Sequence, residues 1–141
     1  MKVLFKPNFT NQQIKFCATK ISYDGDNKIV ETFNNNNQLT SRSIYDKLER
    51  HIHTDWFDKS GTKNGFMNIE YTQDGYIETC KTPTQEYTRT IKKFIKDSYI
   101  HQTEEYLSKT SPKSNYLNES IKNLSGKLVE LISNGKTILK K

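Results

Sequence analysis

Alanine is almost missing from this chain: Ala18 is the only one in 141 residues. Lysine outnumbers arginine 19 to 3, and there are 13 asparagines and 13 isoleucines. We read this bias as the codon usage of an AT-rich genome, such as a low-GC bacterium, its phage or a protist, so it carries no information on mechanism. Cysteine is scarce as well. Cys17 and Cys80 stand far apart in predicted strands, which favours reduced core thiols in a cytoplasmic protein, with a disulfide as the alternative. No run of 18 apolar residues exists, so no membrane-spanning helix is expected. Residues 1–5 form too short an apolar stretch for a secretory leader before Lys6-Pro7 interrupts it. There is no glycine-rich phosphate loop, no Cys/His metal spacing and no nucleophile elbow. No metal, cofactor or catalytic residue is therefore assigned, and a non-enzymatic role is favoured.

Hydrophobic residues make up only 33 % of the chain but aromatics 11 %, so its core must lean on Tyr, Phe and Ile. A mean hydropathy of −0.87 and the run Asn34–Asn37 raise the question of disorder, which the periodicity of the remaining segments answers in favour of a folded domain. The net charge of +6 is uneven. Residues 1–83 carry 11 basic and 10 acidic side chains, residues 84–141 carry 11 and 6, so the excess positive charge belongs to the C-terminal part.

Two hairpin signatures recur. Residues 13–23 and 28–33 read as strands around Asp24-Gly25, and residues 66–72 and 75–81 as strands around Asp74-Gly75, because Asp-Gly supplies the backbone freedom of a tight turn. After the first hairpin, Ile44, Leu48, Ile52 and Trp56 repeat every four residues, the spacing of a helix. After the second, Thr82-Pro83-Thr84-Gln85 has the form of a helix start with a capping box, and Tyr87, Ile91, Phe94 and Ile95 continue on one helical face. Leu117, Ile121, Leu124, Leu128 and Leu131 follow a 4-3-4-3 spacing. The expected fold is therefore a single α+β domain over 1–141. It comprises a ββα unit at 15–57, its duplicate at 66–109, an antiparallel sheet covered by helices, a C-terminal helix at 113–134 forming a helical hairpin, and a basic tail at 135–141.

Two surfaces on these expected helices are candidates for binding. Arg89, Lys92, Lys93 and Lys96 fall in one arc of the second helix, with Tyr99 at its edge, where they would track phosphates of nucleic acid or a nucleotide; an ordinary solvated lysine face is the competing reading. The seam Leu117, Ile121, Leu124, Leu128 and Leu131 would either pack within the monomer or join a homo-oligomer. The expected partner is an anionic ligand, and the alternative is a protein target, the chain acting as an inhibitor, immunity protein or phage-encoded antagonist.

A third set of residues carries a resemblance. His51-Ile52-His53 and Tyr106-Leu107-Ser108-Lys109 resemble the His-hydrophobic-His and Tyr-x-x-Lys motifs of the HUH endonucleases of rolling-circle replication and small transposases. That resemblance covers these seven residues and implies a divalent metal on the two histidines and Tyr106 attacking a single-stranded DNA phosphate. It requires both histidines on one side of a strand, whereas the four-residue spacing predicts a helix there. His101-Gln102-Thr103 has the His-x-Thr form of two-histidine phosphoesterases, but the second copy that chemistry needs is missing.

Overall fold

The computed structural model describes residues 18–141. They form eleven strands: β1 (Ala18–Asp24), β2 (Asn27–Phe33), β3 (Leu39–Tyr45), β4 (His51–Phe57), β5 (Lys63–Tyr71), β6 (Gly75–Lys81), β7 (Glu86–Lys96), β8 (Tyr99–Ser108), β9 (Tyr116–Asn123), β10 (Leu128–Ser133) and β11 (Lys136–Lys140). The strands lie side by side in chain order in one antiparallel sheet. Each packs only against the strands before and after it in sequence, so no second layer covers either face among the described residues. The expected α+β fold, with its ββα duplication and C-terminal helical hairpin, is overturned. The one helical element described is a single 3-10 turn at Pro112–Ser114, and the expected basic tail is largely the edge strand β11. Residues 13–17 of the first expected strand, and Cys17, lie outside the described residues.

The turns explain the difference. Asn34, Asp46, Asp58 and Asn123 each open a turn in which the side-chain Oδ1 accepts from the N–H groups two and four residues on. The backbone N–H of each also donates to the carbonyl four residues on. The fourth residue of each turn has positive φ: Asn37 (63°), Glu49 (63°), Gly61 (83°) and Gly126 (90°). Aspartate and asparagine suit the first position because their side chains substitute for backbone acceptors. The expected first helix is thus β3, the turn Asp46–Arg50 and β4; Leu48 sits in the turn, exposed, and the four-residue spacing is a coincidence of strand and turn lengths. The expected C-terminal helix is likewise cut by the turn Asn123–Lys127.

The start of the expected second helix shows a different competition. Thr82 Oγ1 does accept from the N–H groups of Thr84 and Gln85, at 3.3 and 3.2 Å, the bonds an N-cap makes. The Thr82 N–H then donates to Gln85 O, closing a hairpin instead. The next segment, Tyr87-Thr88-Arg89-Thr90-Ile91, is rich in β-branched and aromatic residues that fit a pleated surface.

Residues paired across strands share a face, and the register separates two aromatic types. Phe33, Phe57, Phe66 and Phe94 occupy one face, the front. Seven of the chain's eight tyrosines occupy the back, and Tyr99 alone stands on the front. Six side chains are buried among the described residues, and five of them, Thr54, Glu78, Cys80, Ile91 and Ser108, face the back. The core is therefore one-sided, built from long side chains lying across neighbouring strands rather than from a second layer.

Candidate functional site

Strands β6 to β9 are tied across the back face by a polar network. The Arg89 guanidinium donates through Nη1 to Glu78 Oε1 at 3.2 Å and through Nε to Glu104 Oε2 at 2.8 Å. The Tyr87 hydroxyl donates to Glu78 Oε2 at 2.6 Å, and the Tyr116 hydroxyl to Glu104 Oε2. The rings of Tyr87, Tyr106 and Tyr116 line up beside this relay, with successive centroids 5.0 and 5.3 Å apart. These contacts set the electrostatics. Hydrogen bonding from Tyr116, aided by Arg89, holds the Glu104 carboxyl below its ordinary range. Burial, reinforced by the Glu78 carboxylate, pushes the Tyr87 hydroxyl far above its usual value. Burial also raises the thiol of Cys80, only 2 % exposed at the edge of the network. With Glu78 and Glu104 each bonded to Arg89 and to a tyrosine hydroxyl, the set pins the four strands together.

Beyond this network β7 outruns β6, while β8 stays paired with β9 from Tyr99 to Tyr106. Pairing between β6 and β7 stops at Gly75 and Lys92, apart from one bond from Lys93 N–H to Asp74 O, while β7 and β8 continue paired to Lys96 and Tyr99. The result is a hairpin end, here the arm, that is open on its β6 side and flanked by β9 on the other, and it is closed by Asp97 and Ser98, both at positive φ (51° and 67°), as the two-residue turn of a right-twisted ribbon requires. Gly75 makes that last β6–β7 pairing possible, because a Cβ there would stand 1.8 Å from Ile91 O. All eight residues from Lys92 to Tyr99 are exposed. Among the described residues no carboxylate lies within ion-pair distance of Lys92, Lys93 or Lys96.

The expected basic arc is thus redistributed. Strand alternation puts Lys92, Lys96 and Tyr99 on the front face and Arg89 and Lys93 on the back, and Arg89 is committed to Glu78 and Glu104. Sequence reasoning missed Phe94 and His101, which stack on the front of the arm with parallel rings 5.2 Å apart; His101 Nδ1 also lies 2.7 Å from Glu119 Oε2. The alternation Lys92-x-Phe94-x-Lys96 against Tyr99-x-His101 was the signal for them.

Other expected sites are dispersed. Leu117 and Ile121 lie on the front of β9, Leu124 in a turn, and Leu128 and Leu131 on the back of β10, so the five residues make no continuous seam, for want of a helix. His51 and His53 do lie on a strand, but the pairing shifts register beside them and they part. His51 reaches Thr54 Oγ1 while His53 Nε2 lies 2.9 Å from Asp55 Oδ1, and Thr54 and Asp55, as neighbours on a strand, face opposite ways. Tyr106 is four strands away, about 19 Å at ordinary strand spacing. No group of three or more His, Cys, Asp or Glu suited to a metal occurs among the described residues. No described helix is long and apolar enough to cross a membrane. In comparisons with known proteins, no family model, no curated protein and no solved structure matches the chain.

Proposed function

We propose that this chain is a non-catalytic binding module that engages an anionic polymer, nucleic acid in particular, through the β7–β8 arm. The observation that carries this reading is the arm itself: eight consecutive exposed residues holding three lysines with no carboxylate partner among the described residues, where β7 runs past the end of β6. Extended geometry favours a polymer over a mononucleotide. Lys92 and Lys96 are four residues apart on a strand, about 13 Å, which exceeds the screening length of about 8–10 Å near physiological salt. Cations so spaced do not converge on one phosphate, but they match a line of them. The same spacing removes the mutual repulsion that a helical arc would impose.

Fluorescence anisotropy with a labelled oligonucleotide over a salt series tests this. Wild-type affinity should fall steeply with salt, and changing Lys92, Lys93 and Lys96 to Gln should flatten the log-log slope by about 2–2.7, at 0.7–0.9 for each lost cation. Equal binding by the triple variant would overturn the reading. A second reading, docking of a protein target, is favoured by Ile95, which is 70 % exposed on the back of the arm; it takes over if the wild type binds no nucleic acid at low salt.

A further inference from the structure

We infer that the arm takes unpaired, single-stranded nucleic acid, with bases stacking on Phe94 and Tyr99. This rests on the reading of the arm as an anion-binding ribbon and names the class of nucleic acid. On the front face, Lys92, Phe94 and Lys96 alternate along β7, and Tyr99 and His101 stand opposite on β8, paired Lys96 to Tyr99 and Phe94 to His101. One face of the Phe94 ring is taken by the parallel imidazole. On its other side β6 has already ended, so no strand pairs with β7 there, and Phe94 is 38 % exposed. The stack therefore ends in an open aromatic face that a base can extend.

Tyr99 supports the same conclusion from its placement. The other seven tyrosines lie on the back, where Tyr87, Tyr106 and Tyr116 tie strands to one another, whereas Tyr99 is on the front, 42 % exposed, lining an open groove with His101, Ile121 and Lys140. Asp97 and Glu130 also line that groove, so its own charge is mixed, and the phosphate contacts fall to Lys92 and Lys96. Rings flanked by cations on an open sheet recognise a strand whose base faces are free. A duplex keeps those faces against their neighbours and offers them nothing.

The experiment compares Phe94→Leu/Tyr99→Leu with the triple lysine-to-glutamine variant on three probes: a short oligothymidylate, a duplex of the same length, and heparin, a polyanion without bases. Matching circular dichroism and thermal melts establish that each variant is folded, and the single Tyr99→Leu serves if the double variant is not. The expected result is at least a tenfold loss of oligothymidylate affinity in the aromatic variant, heparin binding unchanged, and weaker binding of duplex than single strand by the wild type. If the aromatic variant binds oligothymidylate as wild type does, or the duplex binds as tightly as the single strand, base stacking is overturned while the lysine dependence still stands. If the triple variant loses nothing on any probe, the arm is not an anion site and both readings fall.

Discussion

Strands β7 and β8 do two different things along their length. From Tyr87 to Ile91 and from Glu104 to Ser108 they are pinned: each charged side chain on the back has a partner of opposite sign or a hydroxyl, and Ile91, Glu78 and Cys80 are buried. From Lys92 to Tyr99 the same ribbon has neither a neighbouring strand on the β6 side nor, among the described residues, carboxylate partners for its lysines. The backbone pairing is continuous through both halves. The difference is made by side chains and by where β6 stops, so stability and binding are carried by separate residues of one hairpin.

Five single substitutions, one triple variant and one titration probe that separation and the turns that frame the sheet. The largest effect is expected at its hinge. Gly75→Ala puts a methyl against Ile91 O, and thermal or denaturant unfolding should show a loss at or above about 3 kcal/mol, the upper end of overpacking costs. Arg89→Ala leaves Glu78 and Glu104 without their shared cation and should cost roughly 1.5–3 kcal/mol, with nucleic-acid binding unchanged once the variant is folded; a specific loss of binding would return Arg89 to the interface. Gly126→Ala, at φ 90°, should cost about 1–2 kcal/mol, and Asn37→Gly, at the same position of a sister turn, should be neutral or slightly stabilising.

The titration reads the pinned half through Tyr87 and Glu104. Because the folded state raises the Tyr87 hydroxyl above its ordinary value of about 10, its contribution is intact below that pH and is lost as pH rises further. Glu104 has the opposite sign: its lowered value gives a contribution present above the ordinary carboxylate range and lost as pH falls through it. Unfolding followed against pH should therefore decline at both ends, and Tyr87→Phe should flatten the alkaline limb. The smallest effect belongs to the arm, where changing Lys92, Lys93 and Lys96 to Gln should leave the melt within about 0.5 kcal/mol of wild type, as for surface substitutions generally.

Both hairpins were legible in the sequence: Gly25 does supply the positive φ of its turn, whereas Gly75 is already the first residue of β6 and the turn before it is Thr72–Asp74. The segments expected as helices were not legible as strands because an open sheet has no dry face: Ile44 on the front and Trp56 on the back are both half-buried, so the period-two contrast that marks a strand is missing. Turn chemistry was hidden for another reason. The positive-φ position holds Asn37 and Glu49 in the first two long turns, where glycine would have announced it, and the 12-residue step from Asn34 to Asp46 to Asp58 passed as a polar run and a helix. Gly126, in the middle of the expected C-terminal helix, was the clearest missed warning. The cationic residues of the arm were found by charge alone, and Phe94 and His101 were not, because which residues share a face depends on a periodicity of two rather than 3.6.

Strand order equal to chain order has a consequence for how the molecule forms. Every pairing closes a connection of only two to seven residues, so no step waits for distant parts of the chain to meet, and zippering can begin at any hairpin and spread both ways. Opening should run in reverse. Amide protons of β1 and β11 should exchange first, those of β6 to β8 last, as a gradient from the two edges toward the tyrosine-lined centre rather than as one all-or-none event.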